Sequence, residues 1–346
     1  MSWQEDQTIR TFSPEVAADR RIVEEFLNLQ GLDYEDDIEY SVGLYRGNEL
    51  SAVGSLAGRI IKGVAVLPRY RGENLTGKVL SYLKLKAHHR GVHSLFVYTT
   101  PENREFFTTL GYTLIGETAE VALLEDSKRN IRLYREHLEG LNPRKLSAAS
   151  LVMNCNPFTL GHRYLVEEAA GENPMVYLFV VQEDRSVFPF DVRFRLVQEG
   201  VADLGNVRVV PGGDYIISNA TFPSYFIKDK GAISSIHTDL DLSIFGATIA
   251  PSAGIVRRYV GHEPFCPVTK SYNSAMQRIL PQYGLEVKEL KRKEADSIPI
   301  SASEVRKRIS CNQLDQLADL VPTATYAYLA SDEAAPIREK LQGVER

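Results

Sequence analysis

A hydroxyl, a glycine and an imidazole fall within four residues at Thr159-Leu160-Gly161-His162, just after the apolar run Ala148–Met153 and the polar loop Asn154-Cys155-Asn156-Pro157-Phe158. The run is too short for a buried helix and reads as a central parallel strand, whereas His162, Leu165, Val166 and Ala169 recur on one helical face. A strand, a short loop and a helix start aim unpaired N–H groups and the positive end of a helix dipole at the loop, which suits a phosphate. Gly161 lets the backbone approach that anion, and His162 in the first turn faces it. A second stretch, Ile298-Pro299-Ile300-Ser301-Ala302-Ser303-Glu304-Val305-Arg306, repeats the theme. Ser301 and Glu304 have capping-box spacing, and Arg306 one turn on offers a planar fork of donors to outer phosphates.

In this order, the two stretches resemble the T-x-G-H and I-S-x-S-x-x-R signatures of the nucleotidylyltransferase superfamily. The resemblance implies that the histidine stabilises charge on an α-phosphate under attack while the serine/arginine helix holds the β- and γ-phosphates. It thus implies catalytic roles for Thr159, His162 and Arg306, and ATP contacts from Asn156, Phe158, Gly161, Ser301 and Ser303.

These motifs need a scaffold, and 346 residues are enough for two or three domains. A hydrophobic content of 44% and charged content of 25% are ordinary for a globular protein, and no run of about 18 apolar residues suggests a membrane span. Neither a basic start nor an apolar h-region marks Met1–Asp6, so no secretion signal and no membrane partner are expected. The net charge of −5 argues against broad nucleic-acid binding. Cys155, Cys266 and Cys311 lack C-x-x-C spacing, so neither a zinc site nor a disulfide framework is indicated, and a reducing cytoplasm fits. Cys155 reads as packing.

The first half predicts a helix over 14–29, strands over 40–45 and 50–56 joined at Arg46-Gly47-Asn48-Glu49, a strand over 60–66, a helix over 76–90 and a strand over 94–98. Between the strand over 60–66 and the helix over 76–90 lies Arg69-Tyr70-Arg71-Gly72-Glu73-Asn74. This half resembles the GNAT acetyltransferase fold, whose R-x-x-G-x-G/A loop grips the pyrophosphate of coenzyme A. The resemblance assigns Arg69, Arg71, Gly72 and Asn74 to a CoA-type prosthetic group. Asn74 replaces Gly or Ala, and Asn tolerates left-handed backbone. Phe107 stands four before Gly111, where many such enzymes carry a proton-donating tyrosine. A phenyl ring has no proton to give, which suits a thiol that is acceptor rather than leaving group.

A helix expected over 126–138 carries Lys128, Arg129, Arg132 and Arg135 and reads as a solvated face, with Arg144 and Lys145 just beyond Asn142-Pro143 and a boundary near 140–145. The expected division is 1–140, a GNAT-like α+β domain, and 141–346, a doubly wound parallel-sheet, Rossmann-like α/β domain that binds ATP. In the second half, strands are expected over 176–181 and 207–210, with Asp191 capping the helix between them. Lys228 is a candidate ATP-phosphate contact, Asp214, Arg257 and Arg258 fall in or near loops, and Arg258–Thr269 reads as loop-rich, with His262 beside Glu263 inviting an acid/base pairing.

With Thr221-Phe222-Pro223-Ser224-Tyr225-Phe226-Ile227-Lys228 and the 154–162 stretch, nearly the whole chain resembles the citrate lyase ligase family. The resemblance implies use of ATP, with Mg²⁺ on the nucleotide, and acetate. It also implies acetylation of the CoA-derived thiol on the acyl-carrier subunit of citrate lyase, with release of AMP and pyrophosphate. Three alternatives stay open: an adenylyltransferase acting on a phosphate-bearing acceptor, a non-catalytic CoA- or carrier-binding regulator, and a ligase serving another carrier, such as that of a malonate decarboxylase.

Overall fold

Alternating apolar residues and tight glycine turns set the first half. In a computed structural model, which describes residues 7–182, 186–216, 223, 225–227, 230–263, 266–295 and 298–343, the chain divides into two compact units. One comprises Met1–Arg132 with Thr221–Leu240, the other Leu133–Ala220 with Asp241–Arg346.

The first unit contains β1 (Gln7–Phe12), α1 (Ala17–Leu29), β2 (Tyr40–Arg46), β3 (Glu49–Ala57), β4 (Ile60–Val66), α2 (Leu75–His89), β5 (Phe96–Thr99), α3 (Arg104–Thr109), β6 (Thr113–Glu117) and β7 (Ala122–Glu125). They form a seven-stranded sheet in the order β1-β2-β3-β4-β5-β7-β6. All neighbours are antiparallel except β4 and β5, which pair in parallel only at Ile60–Phe96 and Ile61–Val97 before the ladder stops. Val79 and Leu83 of α2 pack on Val42, Ala52 and Leu56 of the sheet, and all five are buried. The edge strand β1 is mostly exposed and lacks apolar alternation, which hides it in the sequence.

Then come α4 (Asn130–Leu141), β8 (Ala148–Met153), α5 (Leu160–Glu172), β9 (Met175–Val180), α6 (Phe190–Gly200), β10 (Val207–Pro211), α7 (Ile233–Ile244), α8 (Ala250–Ala253), β11 (Ile255–Gly261), α9 (Pro267–Ile279) and β12 (Glu286–Leu290). The chain ends with β13 (Glu294–Ala295), β14 (Ile298–Pro299), α10 (Ala302–Ser310), α11 (Thr323–Ala330) and α12 (Ala335–Gly343). In the second unit β8 to β12 form an all-parallel sheet in the order β10-β9-β8-β11-β12. The strand order reverses between β8 and β11. In open α/β sheets that switch point, at the carboxyl ends of the strands, is where ligands bind. Leu151, Leu178, Val166 and Val305 are fully buried in the core that fixes α5 and α10.

Three local readings need correction. Pro189, not Asp191, is the N-cap of α6, and Asp191 lies in its first turn. The loop-rich reading of Arg258 onward misses β11, because charges in a central strand disguise it. There Arg257 pairs with Glu286 at 2.6 Å, and buried Arg258 lies over the Phe245 ring at 4.2 Å. Neither side chain belongs to a loop.

Candidate active site

The loop from Asn154 to Thr159 leaves β8 at the switch point, and its shape is fixed from below by a buried cation. Arg193 donates to the carbonyl oxygens of Asn154, Val181 and Phe188 at 2.7, 2.8 and 3.0 Å, and to Asn154 Oδ1 at 2.9 Å. Composition gives no hint of it, but spacing does: Arg193 shares the buried stripe of α6 with Leu196, Val197 and Gly200. Cys155 is buried with φ of +53°, and burial raises its thiol well above the usual range, so it packs as expected.

Thr159 and His162 cap α5 reciprocally. The His162 N–H donates to Thr159 Oγ1 at 3.3 Å, and the Thr159 N–H donates to His162 Nδ1 at 3.1 Å. Thr159 Oγ1 lies 2.8 Å from the same ring nitrogen. An Nδ1 that accepts a main-chain N–H leaves the proton of a neutral imidazole on Nε2. Burial pushes His162 down to about 4, and the positive charge of Arg292 works in the same direction. The ring is therefore a neutral, oriented hydrogen-bond donor at neutral pH. Phe158, fully buried, stacks beneath it with ring centroids 5.9 Å apart and also fills the space beside Gly200. It supports the histidine and has no surface to offer a nucleotide.

Gly161 also lets two main-chain segments meet. A Cβ there would lie 2.6 Å from the carbonyl oxygen of Ile300, so the glycine lets the start of α5 abut the strand leading into α10. Ser301 caps α10 by accepting the Glu304 N–H at 3.1 Å. The reciprocal half of the expected capping box is absent: the Glu304 carboxylate takes Arg308 at 2.9 Å instead. Arg306 donates to Ser303 Oγ at 3.1 Å and to the main-chain oxygen of Asn156, while Asn156 Oδ1 accepts the Phe188 N–H at 3.0 Å. Burial lowers the Arg306 guanidinium somewhat from its ordinary value. Thus Asn156, Thr159, Gly161, His162, Ser301, Ser303 and Arg306 are gathered at the two adjoining helix starts. Lys228 lies outside the described residues.

His262 and Glu263 do not form a pair. His262 Nδ1 lies 2.8 Å from Glu289, while Glu263 pairs with Arg292, whose Nε also donates to the His262 carbonyl oxygen at 2.8 Å. Arg292, missed in the sequence because it sits in an ordinary basic run, ties the loop after β12 to the loop after β11. Among the described residues, no group of three or more histidine, cysteine or acidic side chains is placed to hold a metal ion.

In the other unit, the loop after β4 turns through Gly72 with φ of +86° and Asn74 with φ of +57°, the left-handed conformation that glycine and asparagine accept. Asn74 is the N-cap of α2. Arg69 is ion-paired with Glu49 and lies 5.2 Å over the Tyr70 ring, while Arg71 is exposed. Beside this loop a cavity of about 480 Å³ is lined by Asn74, Lys78, Tyr82, Lys84 and Tyr112, among others. Phe107 is buried edge-on against Tyr112, with centroids 5.7 Å apart.

The sequence profile of the citrate lyase ligase C-terminal domain matches residues 148–329. The [citrate [pro-3S]-lyase] ligase of Klebsiella pneumoniae is 37% identical over 315 residues, covering 90% of this chain and 92% of that protein. The chain belongs to the citrate lyase ligase family. A second member of the family, from Escherichia coli K12, is 39% identical over 313 residues, covering 89% of each chain. A bifunctional NMN adenylyltransferase/ADP ribose pyrophosphatase structure from Francisella tularensis aligns with a TM-score of 0.40 at 13% identity, over 58% of this chain and 53% of that one. No helix among the described residues is long and apolar enough to cross a membrane.

Proposed function

We propose that this chain is an ATP-dependent ligase that activates acetate as acetyl-AMP. It then acetylates the thiol of a dephospho-CoA-type prosthetic group on the citrate lyase acyl-carrier subunit, releasing AMP and pyrophosphate. The observation that carries this reading is the union of the two motifs at one sheet edge, with Arg306 of the second bonded to Asn156 of the first.

An acetate oxygen attacks the α-phosphorus of MgATP, forming a P–O bond as the bond to pyrophosphate breaks. The Nε2–H of neutral His162 meets charge developing on the α-phosphate, where a fixed donor acts most strongly. Arg306, Ser303 and the capped start of α10 hold the outer phosphates, and Thr159 fixes the tautomer and direction of His162. In the second step the carrier sulfur attacks the acetyl carbon, the C–O bond to AMP breaks, and the thiol proton passes to solvent. The loop Arg69–Asn74 and the free N–H groups at the start of α2 receive the prosthetic group's pyrophosphate, with Arg71 the available cation. Cys155, Cys266 and Cys311 are free thiols, compatible with work in a reducing cytoplasm.

The test is acetate-dependent pyrophosphate release from MgATP, with and without the thiol-form carrier. AMP together with a carrier thioester is expected. Release that ignores acetate and requires a phosphate-bearing acceptor would overturn the reading in favour of adenylyl transfer, and ATP binding without release would leave a sensor.

A further inference from the structure

The ladder between β4 and β5 stops after Ile61 and Val97, although β4 continues to Val66 and β5 to Thr99. Beyond that point β4 continues its ladder with β3 and β5 its ladder with β7, while the pairing between β4 and β5 ends. Gly63, with φ of +55°, lies in the bulge where β4 slips against β3. The parting is not left open. Tyr225, from the segment 221–240 that interrupts the second unit in sequence but belongs to the first, reaches into it. Its hydroxyl donates to the Tyr98 carbonyl oxygen at 3.3 Å and is hydrogen-bonded by the Gly63 main chain, and its own carbonyl oxygen accepts the Asp33 N–H at 3.2 Å. One phenol thus bridges the strands where their ladder fails. It is 8% exposed, and Lys62, beside Gly63, is buried and paired with Glu35 and Asp37.

The loop Leu67–Asn74 leaves directly from the end of β4, and Gly63 is three residues back from Val66, roughly 10 Å along a strand. A ligand anchored by its phosphates at that loop and carrying amides in an extended arm would run back along β4, adding to main-chain groups as a strand does, and would end at Tyr225. We propose that Tyr225 is a specificity-determining residue that fills the parting between β4 and β5, so that the free thiol of a CoA-type arm is held and the acylated thiol is excluded. The inference rests on the reading of the Arg69–Asn74 loop as the prosthetic-group site. It gives the site a direction: it receives the acceptor and rejects the product. Burial and the nearby Glu35 carboxylate both raise the Tyr225 phenol, so the group in the parting is a neutral hydroxyl.

The experiment is equilibrium binding of dephospho-CoA and S-acetyl-dephospho-CoA to the full chain, as wild type, Tyr225→Phe and Tyr225→Leu. Far-UV circular dichroism and denaturant unfolding report that each variant remains folded, and acetate-dependent ATP–pyrophosphate exchange reports that the ATP site is intact. Wild type should prefer the thiol by about tenfold or more, Tyr225→Phe should keep the preference because the ring remains, and Tyr225→Leu should bring the two within about threefold by tightening the acetylated form. A purely structural tyrosine would weaken both forms together. Equal wild-type affinities, or an unchanged ratio in Tyr225→Leu, would overturn the inference while leaving the ligase reading standing. Failure of wild type to bind either form would overturn the prosthetic-group site itself. The wild-type ratio needs no variant, so a misfolded Tyr225→Leu would not shield the idea.

Discussion

Arg306 donates a hydrogen bond to the main-chain oxygen of Asn156, a residue 150 positions earlier in the chain. That contact ties the two loops into one object. It also constrains Arg306, since one part of the fork is used to hold the first loop while another reaches Ser303.

Replacing Arg306 should therefore separate charge from geometry. Arg306→Ala should lower acetate-dependent ATP–pyrophosphate exchange by about 100-fold or more, the scale of losing a fixed donor to transition-state charge. Arg306→Lys, a point charge without the fork, should recover only part of it. Equal exchange by Arg306→Lys and wild type would show that the fork is irrelevant.

Gly161→Ala tests the junction from the other side. Its Cβ would meet the Ile300 oxygen at 2.6 Å, and that oxygen is main chain and cannot swing away. A loss of about 1–3 kcal/mol in unfolding free energy is expected, together with reduced adenylation and unchanged dephospho-CoA binding. Full stability and full exchange in this variant would refute the close-approach account.

His162 sets a pH dependence of known sign. Its folded-state value, about 4, lies below the ordinary 6.5, so the unfolded chain binds the proton more readily. Its contribution to stability is complete above pH 6.5 and is lost as pH falls toward 4, amounting to at most about 3 kcal/mol. The stability gap between wild type and His162→Ala, followed by denaturant titration, should narrow over that window. The imidazole should also show no titration in adenylation rate between roughly pH 5.5 and 8, and a His162 inflection near 6.5 by NMR would count against the neutral donor. His162→Ala should itself reduce exchange by about 100-fold.

The other loop predicts a different phenotype. Arg71→Ala should leave acetyl-AMP formation intact and weaken transfer to the carrier. Gly72→Ala should do the same with an added cost of about 1 kcal/mol, because φ of +86° suits only glycine there. Equal loss of both half-reactions would remove the division of labour.

Much of this was legible in the residues. Strands such as β4 and β8 and the helix α5 announce themselves by apolar runs and period, and Asn74 met the expectation of a left-handed turn. What stayed hidden depends on partners far away in sequence. Nothing near Gly161 in sequence announces the Ile300 carbonyl oxygen that lies against it. Phe158 looks like a nucleotide contact until its burial under His162 is known. The Thr159–His162 cap escapes a search for Ser/Thr with Glu/Gln, because an imidazole plays the acceptor. β11 was obscured by Arg257 and Arg258, whose charges are matched by Glu286 and by an aromatic face that only the fold supplies.

The stitch made by Tyr225 bears on modularity. A gene cut at the obvious border near residue 140 would yield a first fragment lacking the segment that bridges its own sheet, and a second fragment carrying an orphaned tyrosine arm. The border in sequence is therefore not the border in space, and a faithful dissection would graft residues 221–240 back onto the first piece.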